Sequence, residues 1–148
     1  MKEELSTMKV TQKAPLKILL IDDDIIEIMK LKRAILKLKL NHEVIEAKNG
    51  EDALEILSDK AKIPDIILLD LNMPKLNGLE FLAILKNNEV LKYIPTIILS
   101  TSKNRTDVLE SYKIGIAGYV LKPLKYEDYI DKINLILSYW SANELIKV

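Results

Sequence analysis

The sequence predicts an α/β domain: a parallel sheet of five short strands with helices packed on both faces. Three observations predict it. Five runs rich in Ile, Leu and Val recur along the chain, each bounded by acids, Pro or Gly. Between successive runs, apolar residues return at three- and four-residue spacing, the period of a helix with one buried face. The 148 residues suit a single domain, with no internal repeat. Strands that alternate with helices in this way join through right-handed crossovers, which forces the strands parallel.

Residues 1–15 are polar, end at Pro15 and show no sustained period, so they are expected to form a flexible leader ahead of a domain over 16–148. The expected strands are 17–21 (KILLI), 43–47 (EVIEA), 65–70 (DIILLD), 96–100 (TIILS) and 118–121 (GYVL). Consecutive apolar positions mark strands covered on both faces. The first helical stripe is Ile25, Ile28, Met29, Ile35 and Leu38. The second is Ala53, Leu54 and Leu57, opened by Gly50 and by Glu51 and Asp52, whose charge suits a helix N-terminus. Leu79, Leu82 and Leu85 follow Gly78, and Val108, Leu109 and Tyr112 precede Gly115. The last stripe is the clearest: Tyr126, Tyr129, Ile130, Ile133, Leu137 and Trp140, on an extended C-terminal helix.

Composition narrows the function. Hydrophobic residues make up 49% and charged residues 30%, enough for a core and a solvated surface. The 22 basic and 22 acidic side chains cancel, which removes the positive field that nucleic-acid binding needs. With no cysteine there is neither a disulfide framework nor a thiolate metal site. No segment reaches the ~20 apolar residues of a membrane span, and the N-terminus lacks the apolar core of a signal peptide. The expectation is a cytoplasmic protein that contacts neither nucleic acid nor membrane.

In a doubly wound sheet the functional crevice lies beyond the carboxyl ends of the strands. The polar residues there are of particular kinds. The first run ends in Asp22, Asp23 and Asp24, and the third in Asp70. The fourth ends in Ser100, followed by Thr101 and Ser102, and the fifth in Lys122, followed by Pro123. Carboxylates crowded on one edge repel unless a hard cation neutralises them, and an all-oxygen donor set favours Mg2+ or a similar ion over zinc. A carboxylate beside such an ion, faced by a hydroxyl and an ammonium, is a phosphoryl-transfer constellation. Asp70 is then the nucleophile, Lys122 offsets charge on the phosphoryl oxygens, and Ser100 donates to one of them.

These segments, IDDD, DLNMPKLNG (70–78), ILSTS (98–102) and GYVLKP (118–123), resemble the response-regulator receiver family, to which CheY belongs, over roughly residues 16–140. The resemblance implies a flavodoxin-like doubly wound sheet of order 2-1-3-4-5. It implies Asp70 as the phosphoacceptor and Asp23 as a direct ligand of Mg2+. Asn72 would ligate through its backbone carbonyl and Asp22 through a water. It implies Ser100 and Tyr119 as the switch pair, Lys122 as the phosphate-facing lysine, and a cis Lys122–Pro123 bond. The phosphoryl donor would be a sensor histidine kinase. Phosphorylation would draw Ser100 inward, let Tyr119 turn and reshape the surface of the fourth helix, fifth strand and fifth helix. The stretch from Asp70 to Ser102 and the helix reaching Trp140 further resemble small stand-alone regulators of phytochrome-type histidine kinases. Thr101 departs from the Ala or Gly usual in the family, and its bulk is expected to slow phosphoryl transfer or loss.

Each feature also has a plainer reading. The acidic trio can serve as a helix cap, an Asp after a strand is ordinary, and Lys-Pro is a common turn. It is the ordered set at separate strand ends that favours a site. His42 lies in a loop and is expected to be neither ligand nor phosphodonor. Lys30, Lys32, Arg33, Lys37 and Lys39 are expected to form a solvated face, with docking of an acidic kinase surface as the alternative. Leu135, Ile136 and Tyr139 extend the apolar surface of the last helix beyond one stripe, which points to a homodimer through the final strand and helix. Three rival functions remain. A haloacid-dehalogenase-like phosphatase would use Asp22 and Asp24, but gives Asp70 no task. A binding-only module would not need the acids and the lysine. Nucleotide or flavin binding would need a Gly-rich loop after the first strand. The favoured reading is a phosphoacceptor that undergoes slow self-dephosphorylation and passes its signal to a downstream protein or phosphotransfer partner.

Overall fold

The computed structural model describes residues 15–73 and 76–146, so the expected leader lies outside it except for Pro15. Five strands, β1 (Lys17–Ile21), β2 (Glu43–Ala47), β3 (Ile66–Leu69), β4 (Thr96–Ser100) and β5 (Gly118–Leu121), form one sheet of order β2-β1-β3-β4-β5. All four pairings are parallel. Five helices, α1 (Ile25–Lys37), α2 (Gly50–Leu57), α3 (Gly78–Asn87), α4 (Arg105–Ile114) and α5 (Tyr126–Ser141), connect and follow the strands. Two short 3-10 turns, Lys60–Lys62 and Leu91–Tyr93, were not foreseen.

The side-chain period of two along the strands divides the core into two halves. Ile18, Leu20, Ile66, Leu68, Ile97 and Leu99 face α1 and α5, where Leu31, Ala34, Tyr129, Ile133 and Leu137 meet them. Leu19, Ile21, Ile67, Leu69 and Ile98 face α2 and α3, against Ala53, Leu57, Phe81, Leu82 and Leu85. Burying a Leu or Ile side chain is worth about 1.5–3 kcal/mol, so this double layer dominates stability.

The helix starts are capped from the sequence. Asp24 accepts from the Ile26 N–H, and Asn49 from the Asp52 N–H. Asn77 and Glu80 form a capping box at α3, and Asn104 accepts from the Thr106 N–H at α4.

Several sequence expectations are corrected. Ile25 and Met29 are 67% and 51% exposed, because the buried face of α1 runs through Ile28, Leu31, Ala34 and Ile35 instead. In α4, Leu109 and Tyr112 point to solvent and only Ser111 is fully buried, its hydroxyl donating to the Asp107 carbonyl. Phe81, absent from the expected α3 stripe, is wholly buried. Ile136 belongs to the core layer of α5, leaving Leu135 and Tyr139 as that helix's exposed large apolar residues. β2 is an edge strand with Glu43 and Glu46 exposed, so it is not covered on both sides. No cis peptide occurs among the described residues; the Lys122–Pro123 bond is trans, the isomer that X-Pro prefers by about 0.5–1 kcal/mol.

The basic face of α1 is partly engaged within the molecule. Lys32 pairs with Glu46, Lys30 lies over the Tyr129 ring, and Lys37 lies over Tyr126. His42 Nδ1 accepts the Leu16 N–H at 2.8 Å, tying the loop before β2 to the entry of β1.

Candidate functional site at the carboxyl edge of the sheet

Strand register alone brings the chemistry together. Ile21 pairs with Leu69, and Ser100 with Leu121. The ladder then runs one residue past each strand: Asp22 N–H to the Ala47 carbonyl, Asp70 N–H to the Ile21 carbonyl, and Lys122 N–H to the Ser100 carbonyl, at 3.0, 3.0 and 2.8 Å. Residues a hundred positions apart therefore stand on one edge. Gly78 closes the site from below. A Cβ there would lie 2.7 Å from the Asp70 carbonyl oxygen and 2.7 Å from Leu71 Cα, so α3 can begin against the β3 loop only with glycine.

Asp22, Asp23 and Asp70 each offer a carboxylate oxygen, and the three oxygens lie within 4.8 Å of one another. Asp22 is 2% exposed and Asp70 9%, whereas Asp23 is open to solvent. Burial pushes the Asp70 carboxyl up to about 6; Asp22 and Asp23 add to the rise, while Lys122 and the Asn72 N–H oppose it. Burial likewise raises Asp22, against the Asp24 N–H and Lys122. Three like charges in one partly buried cleft are a destabilised arrangement, and an oxygen-only donor set is what a hard divalent cation takes. The residues fit such an ion. The cleft, of about 560 Å³, is also lined by Asn72, Thr101 and Lys122.

Lys122 is nearly buried and pairs with Asp22 at 3.0 Å and with Glu27 at 3.6 Å. Burial pulls its ammonium down, but Asp22 and Asp70 more than compensate, and it stays charged. Among the described residues no ion pair within 4 Å joins it to Asp70. Asp24 caps α1, which removes it from the nucleophile pair a phosphatase would need.

Ser100 is wholly buried, and its Oγ accepts the Ser102 N–H at 3.1 Å. The Tyr119 hydroxyl donates to the Ser102 carbonyl at 2.9 Å, and Ser102 Oγ donates to Asp107 at 2.9 Å. The β4–α4 loop is thus held by the expected switch residues, with Thr101 as its cleft-facing wall.

Asp22, Asp23, Asp70, Asn72 and Lys122 all reach the cleft, and Ser100 and Tyr119 stand one layer behind it. Glu27 was not foreseen. Its signal was available: it lies three residues after the capping Asp24, in the first turn of α1, directly above the strand end.

This crevice defines the class: a doubly wound α/β protein with an acidic, lysine-bearing site at the carboxyl edge of its sheet. The chain belongs to the response regulator receiver domain family, whose model matches residues 18–134. It is 35% identical over 132 residues to the response regulator Rcp1 of Synechocystis sp., covering 85% of this chain and 90% of that one. It superposes with a TM-score of 0.82 on the crystal structure of the phosphorylated cyanobacterial phytochrome response regulator RcpA. Identity there is 33%, over 89% of this chain and 99% of RcpA. The crystal structure of the Mn2+-bound form of Rcp1 gives 0.79 at the same identity and coverage. No helix among the described residues is long and apolar enough to cross a membrane.

Proposed function

We propose that the protein is a single-domain two-component response regulator that accepts a phosphoryl group on Asp70 from a sensor histidine kinase. The observation that carries this is the meeting of Asp22, Asp23 and Asp70 from two separate strand ends within 4.8 Å, with Lys122 paired beside them. An Asp70 carboxylate oxygen attacks phosphorus. The P–N bond of the donor phosphohistidine breaks, its electron pair stays on the imidazole nitrogen, and an acyl phosphate forms.

Asp23 and Asp70, the Asn72 carbonyl and, through a water, Asp22 would hold Mg2+. When bound, the ion neutralises the crowded carboxylates and the phosphoryl oxygens. Rcp1, crystallised with Mn2+, is a relative in which a divalent ion is recorded. Lys122 offers the positive charge on the opposite side, and the Ser100 hydroxyl retains its own proton to donate. The Tyr119 grip on the Ser102 carbonyl links that hydroxyl's loop to β5, so a shift at Ser100 reaches the α4–β5–α5 surface. This is a population shift biased by the phosphoryl group, followed by slow self-dephosphorylation.

Ile25 lines the cleft, and it, Ile26 and Met29 leave α1 with exposed apolar side chains near its N-terminus, suited to a kinase domain presenting its phosphohistidine. The signal leaves by contact with a downstream protein or phosphotransfer partner. Leu135 and Tyr139, with the groove against Leu121 and Leu124, suit a second copy of the chain. Sedimentation should show dimers at tens of micromolar, and a monomer with and without phosphorylation would remove the dimer.

Incubation with acetyl phosphate and Mg2+ should add one phosphoryl group by intact mass, absent in Asp70→Ala and in EDTA. Sustained turnover of p-nitrophenyl phosphate would instead favour a phosphatase.

A further inference from the structure

The acidic cleft contains one charged side chain that the phosphoacceptor reading leaves without a task. Glu27 Oε2 lies 3.6 Å from Lys122 Nζ, and Glu27 Oε1 lies 3.8 Å from Lys30 Nζ. Lys122 is therefore shared between two carboxylates, Asp22 and Glu27, while Asp70 has no direct ion pair with it. A phosphoryl group on Asp70 would have to draw the ammonium toward itself against the pull of both.

The two holders differ. Asp22 belongs to the carboxylate trio, so a bound divalent cation shares its charge and weakens its pull on the lysine. Glu27 lies outside that trio, on α1, and its pull on Lys122 persists whatever occupies the acids. It also has somewhere to turn. Lys30 is already beside it and is kept in place 4.4 Å from the centroid of the buried Tyr129 ring. Release of Lys122 therefore leaves Glu27 paired with Lys30 rather than orphaned, which keeps the exchange inexpensive.

We propose that Glu27 is a positioning residue that holds Lys122 back from Asp70 in the resting protein and so sets how readily the lysine engages a phosphoryl group there. The inference rests on Asp70 being the phosphoacceptor. Glu27 competes with the phosphoryl oxygens for one cation, so removing its charge should strengthen, not weaken, the phosphorylated state. A partly solvated pair of this kind is worth a factor of about two to five.

The test is titration of beryllofluoride, a phosphoryl mimic, in saturating Mg2+, followed by fluorine NMR of the bound species. Glu27→Gln should bind two- to fivefold more tightly than wild type. Glu27→Asp, which keeps the charge on a shorter stem, should fall between them. In a Lys122→Met background the Glu27→Gln effect should vanish, which a merely structural role for Glu27 would not require. Binding by wild type with no gain, or a loss, in Glu27→Gln overturns the positioning role alone. The same gain in the Lys122→Met background also overturns it. No beryllofluoride binding by wild type overturns the phosphoacceptor reading and this proposal with it.

Discussion

Replacing Asp70 by Asn should make the metal-free protein more stable, and the size of the gain follows from the site's electrostatics. The Asp70 carboxyl titrates at about 6 in the fold, against 3.8 ordinarily, because burial and the neighbouring acids disfavour its charge. A difference of about two units, at about 1.4 kcal/mol each, makes the ionised group cost about 3 kcal/mol. Water in the open cleft reduces this to about 1–3 kcal/mol. The folded state binds this proton more tightly than the unfolded chain, so stability falls as pH rises from about 4 through 6 and the cost is fully present above about 7. Asn keeps an oxygen for the Asn72 N–H and removes the charge. Urea unfolding in EDTA at pH 8 should therefore show a midpoint about 1 M higher for Asp70→Asn, taking a slope of about 2 kcal/mol per molar. At pH 4.5 about a third of the gain should survive, since wild-type Asp70 is then protonated in the fold. Added Mg2+ should narrow the gap by stabilising wild type more than a variant that has lost one ligand charge. Equal midpoints at pH 8, or a gain of the same size at both pH values, would refute the reasoning.

Gly78→Ala should cost more than about 2 kcal/mol, because the added methyl meets the backbone of Asp70 and Leu71 rather than a movable side chain; thermal unfolding reads it directly. Burial lowers the His42 pKa, and its Nδ1 accepts a backbone N–H, so the fold favours neutral imidazole. That contribution is present above pH 6.5 and lost as pH falls below it, and His42→Leu should remove this slope from the pH–stability curve. Tyr119→Phe removes one hydrogen bond to the Ser102 carbonyl and should cost about 0.5–1.5 kcal/mol in urea unfolding. Its amide spectrum should change around residues 101–104 rather than across the sheet.

Four of the five strands were legible to the residue, because each reads as a short bounded run of β-formers, and β3 was read one residue too long at each end because Asp65 and Asp70 flank its apolar run. The helices were legible as elements but not always as faces. Ile25 and Met29 satisfy a helical period as well as Leu31 and Ala34 do, and only contact with the sheet chose between them. The α4 stripe failed for a related reason. A helix at the edge of a layer buries little, so a small residue, Ser111, took the inward position while Leu109 and Tyr112 stayed outside. At the site, the ends of the runs announced Asp22, Asp23, Asp70, Ser100 and Lys122 by residue type.

Local chemistry therefore determined the strand and helix order and the identity of the polar groups that end each strand, because each depends on neighbours a few positions away. Tertiary structure decided what those groups touch. Asp24 became a cap and Asp22 an ion-pair partner, although both belong to one run of three acids whose residue type is the same. Lys122 was placed on Asp22 and Glu27 rather than on Asp70 by the register of β4 with β5 and the packing of α1 over the strand ends. Charges act through space with a reach of several ångströms, and no spacing along the chain encodes which of three nearby carboxylates a lysine will meet.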